Sequence, residues 1–109
     1  MYLRERGLFE KYPVEERITR IGEFGRQVAE FKLTDRVIFG LQEHLSPEEK
    51  ERWRGLKHVA DSCILERGNN PKAKVGDKLI KGERKYLISA VEPIGIFWTQ
   101  YFVTERHDL

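Results

Sequence analysis

The sequence predicts a mainly β fold, a small antiparallel β-barrel or sandwich of about six strands with one short helix in a long inserted loop. Three observations predict it. Short apolar runs recur along the chain between turn-forming residues, a Gly82-Glu83 pair separates two of them, and only the stretch after Ser46 carries helix-start signals. At 109 residues the chain has the length of a single domain. The expected organisation is an N-terminal arm over 1–13 and one domain over 14–109, with a helical insert at about 42–58.

In the arm, Tyr2, Leu3, Leu8 and Phe9 are scattered among charges, and Pro13 stops any helix begun there. Ile18 and Ile21, a glycine-containing turn at 22–25, then Val28, Phe31 and Leu33 predict a hairpin. Over 36–43, Val37, Phe39 and Leu41 alternate with Ile38, Gly40 and Gln42, which predicts a strand whose apolar face is the first set. Ser46, Pro47 and Glu49 then form a capping box with proline at the first helical position. Glu48, Glu49 and Glu51 precede Arg52, Arg54 and Lys57, the order that suits the helix dipole. Only Trp53 and Leu56 are large and apolar in this stretch, and Gly55 weakens its last turn, so the helix is expected to lie exposed or against a partner.

Val59, Cys63, Ile64 and Leu65 predict the next strand, closed by the turn Gly68, Asn69, Asn70, Pro71. Strands at 77–81 and 84–91 flank Gly82 and Glu83, and glycine at the first central position predicts a type II′ hairpin. After a turn at Pro93 and Gly95, a last strand places Phe97, Thr99, Tyr101 and Val103 on one face and Trp98, Gln100 and Phe102 on the other. Aromatics on both faces need cover on both, from the chain's own arm and helix or from a neighbouring subunit, and Trp98, Tyr101 and Phe102 are the residues expected at a subunit or partner contact.

The 20 basic and 18 acidic side chains are interleaved, which is no strong nucleic-acid footprint. Cys63 is the lone cysteine, so an internal disulfide is excluded and a reducing compartment is expected. No apolar run is long enough to span a bilayer. His44, His58 and His107 stand in unrelated settings, and no phosphate loop or nucleophile elbow is present. The expectation is a non-enzymatic protein without cofactor or metal. A second reading takes Lys72, Lys74, Lys78, Lys81 and Lys85 as the basic face of a small-barrel nucleic-acid-binding module.

Several segments in sequence order, "QEHLSPEE", "KERWRGLKHVA", "DSCILERG", "PKAKVGDKLIKGERKYLISAVEP" and "FWTQYFVTE", resemble the head-tail joining, or head completion (stopper), proteins of tailed bacteriophages. Gly76, Asp77, Gly82, Tyr86, Ile88 and Val91 occupy the places of that family's late hairpin motif. The resemblance implies a virion neck protein, assembled in the host cytoplasm as a homo-oligomeric ring below the portal and its adaptor. Such a ring closes the DNA exit after packaging and offers a docking surface to a tail protein, touching DNA without sequence specificity and needing no membrane. It further implies a channel plug over about 42–58, with Gln42, Glu43, His44, Ser46, Glu49, Arg52, Trp53, Arg54, Leu56, Lys57 and His58 in the moving segment.

Overall fold

The computed structural model describes residues 9–44 and 60–106. Within them six strands follow in order: β1 (Glu10–Ile21), β2 (Gln27–His44), β3 (Ser62–Arg67), β4 (Lys78–Lys81), β5 (Arg84–Ile94) and β6 (Trp98–Glu105). A short 3-10 turn, Glu23–Gly25, joins β1 to β2. All neighbours are antiparallel, and the order β1-β2-β3-β6-β5-β4 closes on itself through Val14 opposite Leu79 and Glu15 opposite Lys78. The predicted antiparallel barrel of about six strands is therefore the observed fold.

Register explains the core. Tyr12 faces Ile38, Ile64 faces Tyr101, Val103 faces Ile88, Tyr86 faces Leu79 and Leu79 faces Val14, each pair directly opposite across adjacent strands. Directly paired residues share a sheet face, so these side chains all enter the barrel, where they are fully or almost fully buried. Ser89 is an extra residue between Ile88 and Ala90, and its hydroxyl donates to the Phe102 carbonyl at 3.1 Å. This bulge keeps Ile88 inside while turning Ala90 outward beside Phe102.

Two sequence expectations are corrected here. In β2 the core face is Ile38 and Gly40, not Val37 and Phe39, which are 37% and 51% exposed. Gly40 explains the choice, since a Cβ there would stand 2.6 Å from the Ile64 methyl and 2.9 Å from the Leu65 carbonyl; the barrel closes tightly against bare backbone. Likewise β1 begins at Glu10, and Tyr12 is buried, so the strand starts ahead of Pro13. Proline forbids a continuing helix but is tolerated beside a break in a ladder, and the β1–β2 register shifts between Pro13 and Glu15. There the Thr34 hydroxyl donates to the Val14 carbonyl at 2.8 Å and accepts from the Arg36 N–H at 3.1 Å.

Beyond that shift β1 and β2 leave the barrel as a two-stranded arm, paired from Glu15 opposite Leu33 to Ile21 opposite Gln27. This is the hairpin predicted around Gly22 and Gly25, now merged with the following strand into one β2. No residue of the arm is buried. It lengthens the molecule to 53 Å against 32 and 28 Å in the other directions. Asp77 fastens its base: one carboxylate oxygen accepts the Arg17 N–H at 3.0 Å and the other the Lys74 N–H at 3.1 Å. The late hairpin turns at Gly82, whose φ of 60° with no positive φ at Glu83 is the predicted type II′ geometry.

Candidate interaction surface

One outward-facing row crosses five strands near the Gly68 end of the barrel. Lys11 is opposite Phe39, Arg67 is opposite Trp98, and Trp98 is opposite Ile94, while Gly40 opposite Glu66 brings Phe39 alongside Arg67. Phe9 stacks on both rings of this row, at 5.6 Å from Phe39 and 6.4 Å from Trp98. The Arg67 guanidinium lies over the Phe9 and Trp98 rings, 5.9 and 5.5 Å from their centroids. A cation held over ring faces keeps its charge available at the surface while its stem covers apolar area.

Two grooves adjoin at Arg67. One, of about 410 Å³, is lined by Arg67, Gly68, Ile96, Phe97 and Trp98. The other, of about 300 Å³, is lined by Phe9, Phe39, Glu66, Arg67 and Lys72. Ile96 and Phe97 are each 69% exposed because the turn after β5, with Gly95 at a φ of 59°, carries them out of the sheet. Apolar walls around one exposed guanidinium suit an apolar side chain with a carboxylate beside it.

Beneath this row lies a closed polar cluster. The Glu66 carboxylate accepts from Tyr101 Oη at 3.1 Å, from Lys72 Nζ at 2.9 Å and from the Phe39 N–H at 3.2 Å. Tyr101 Oη in turn accepts the Lys72 N–H at 3.1 Å. Burial raises the Tyr101 hydroxyl well above its ordinary range; the Lys72 N–H acts against this and the Glu66 charge adds to it. Among the described residues no buried side-chain polar atom lacks a partner, and the cluster ties β2, β3 and β6 together with the Lys72 backbone.

The expected site residues fall into three groups. Ser46, Glu49, Arg52, Trp53, Arg54, Leu56, Lys57 and His58, and with them the plug helix, lie outside the described residues. Gln42, Glu43 and His44 belong to β2, paired with Ile64, Cys63 and Ser62, so the insert begins after His44 and not at Gln42. Gln42 points toward the interior, where its amide donates to Ser62 Oγ at 3.1 Å and its carbonyl accepts from Tyr12 Oη at 3.4 Å. Of the three aromatics expected at a partner contact, Trp98 is half-buried on the outer row, but Tyr101 and Phe102 are fully buried within the single chain. Tyr101 is barrel core, and Phe102 packs with Ala60, Cys63 and Ala90 in a second cluster on the outer side of the sheet.

Among the described residues the exposed aromatics lie elsewhere, at Phe39, Phe97 and Phe24. The alternation signal marked Phe39 as core, and isolated turn residues carry no periodic signal at all.

The lysines of the second reading are largely engaged. Lys72 reaches Glu66, Lys74 lies 3.9 Å from Glu16, and Lys81 lies 2.9 Å from Glu10. Lys78 is 4% exposed, its ammonium 3.6 Å from the Phe31 ring centroid and 4.0 Å from Glu15. Among the described residues no three His, Cys, Asp or Glu side chains are placed to hold a metal. Comparison with protein-family models, with curated proteins and with solved structures found no match to this chain.

Proposed function

We propose that the chain is a structural component of a tailed-bacteriophage neck, a head completion or stopper protein that forms a homo-oligomeric ring below the portal and adaptor. In this reading it works by assembly rather than catalysis. The observation that carries it is a rigid barrel bearing a long arm whose apolar side chains, Ile21 and Phe24, are 76% and 97% exposed in the single chain. Such side chains on a projecting element are interface residues waiting for a surface. The sequence resemblance supplies the kind of assembly. Its Gly76 and Asp77 stand where the arm is fastened, and its Gly82 makes the tight turn of the β4–β5 hairpin.

The plug segment of this reading connects β2 to β3 in sequence, and those two strands are paired over five residues, a firm frame for an element that moves. The engaged lysines favour this reading over a nucleic-acid-binding module, because charges paired with carboxylates release few counterions on meeting phosphate. The test is reconstitution: purified chain added to portal–adaptor complexes is expected to bind as a ring and to keep DNA inside filled heads. Failure to bind those complexes at any concentration, together with tight DNA binding that collapses with salt, would replace this reading with the second one.

A further inference from the structure

The arm's tip and the groove around Arg67 fit one another in chemistry, and they stand far apart on one molecule. Phe24 has a φ of 61°, the one positive φ at a non-glycine among the described residues, and Gly25 follows at 75°. L side chains rarely adopt that conformation, and a tight hairpin turn ordinarily fills such a place with Gly, Asn or Asp. Here the place holds a phenylalanine, almost wholly exposed, with Glu23 beside it. A strained, solvated aromatic gains nothing in the isolated chain, so its use must be sought in contact with something else.

The groove of about 410 Å³ offers Ile96, Phe97 and Trp98 as walls and the Arg67 guanidinium at its rim. Among the described residues no carboxylate lies within ion-pair distance of Arg67. The neighbouring outward row adds Glu92, and the tip adds Arg26, so charges of both signs stand on each side.

A chain cannot serve itself. From Gln27 at the base of the tip to Phe39 beside the groove, β2 spans about 40 Å at about 3.3 Å per residue. A tip on one side and a groove on the other make a heterologous contact, the kind that closes into a ring when the rotation allows.

We propose that the Glu23–Phe24 tip of one chain inserts into the Arg67 groove of a neighbouring copy, with the Phe24 ring against Ile96, Phe97 and Trp98 and the Glu23 carboxylate on Arg67. This rests on the reading of the chain as a ring component and adds the joint between its subunits.

The test is sedimentation velocity over a wide concentration range, on the free chain and on the chain bound to portal–adaptor complexes. Phe24→Ala should weaken association by about 10- to 100-fold, the equivalent of exposing one buried aromatic side chain, without altering the fold by circular dichroism. Glu23→Arg and Arg67→Glu should each weaken it, and the double exchange should restore it. Mixing Phe24→Ala with Arg67→Glu chains should give pairs that neither forms alone, since each mixture retains one intact tip and one intact groove. Oxidation of a Phe24→Cys, Ile96→Cys chain should give a covalent ladder.

Assemblies of wild-type strength after Phe24→Ala, charge exchange without rescue, or no ladder overturn this joint and leave the ring standing. A wild-type chain that stays monomeric both free and in the presence of portal–adaptor complexes overturns the joint and the ring together. Groove substitutions that abolish binding of a different polypeptide while self-association persists assign the groove to that partner instead, and also overturn the joint.

Discussion

Glu66 is 4% exposed yet accepts three hydrogen bonds, from a tyrosine hydroxyl, an ammonium and a backbone N–H. Removing it strands the Phe39 N–H and the Tyr101 hydroxyl, so Glu66→Ala should cost about 2–4 kcal/mol in urea denaturation, and Glu66→Gln less. The proton balance of the interior also has a direction. Burial raises the Tyr101 and Tyr12 hydroxyls above their ordinary 10.0, and the hydrogen bond to Glu10 raises Lys81 above 10.5. Above about pH 10 the unfolded chain has released these protons while the folded chain keeps them, so their stabilising contribution is full below that pH and declines as pH rises. Thermal denaturation from about pH 9 to about pH 11 should show a falling midpoint, and Tyr101→Phe should flatten the fall. None of this was legible beforehand. In the sequence Glu66 only follows the apolar run Cys63, Ile64, Leu65, and what buries it is the closing of the barrel around it.

At the level of strands, the readable features were those set by local backbone chemistry. Gly82 specified its turn because a type II′ geometry demands a positive φ there, and Ile18, Ile21 and Val28 around a glycine turn specified the arm's hairpin. The inward face of β2 was misread because Val37, Phe39 and Leu41 outweigh Ile38 and Gly40 in apolar bulk, whereas closure selects the small residue where Ile64 and the Leu65 carbonyl press in. Gly40→Ala should therefore destabilise the barrel by about 1–3 kcal/mol through overpacking, measured as a lowered urea midpoint. Phe24→Gly should behave oppositely. It removes an unfavourable left-handed residue at an open position, so the unfolding free energy should hold or rise by up to about 1 kcal/mol even as the proposed self-association weakens. The aromatic row escaped prediction because Phe39, Arg67, Trp98 and Ile94 come from four strands and meet only through their register.

On the scale of the molecule, a buried barrel and an unburied arm should differ in how readily they open. Native-state hydrogen exchange is expected to find backbone amides near Ile64, Ile88 and Tyr101 protected to the global limit. Those between Thr19 and Ala29, bonded only across a two-stranded ribbon, should exchange much sooner, and deletion of the tip should leave the barrel's protection intact. The barrel class was legible in the sequence because it follows from strand count and turn spacing. The exposed aromatic surface was less so, since it depends on which aromatics the closed barrel leaves outside.

The barrel's circuit is uneven: β1 meets β4 over only two residue pairs, while β2 meets β3 over five. A pull on the arm's tip is divided between those two seams, and tension concentrates on the shorter one, at Val14 and Glu15. Whatever tugs that lever from outside will find the same tear line each time.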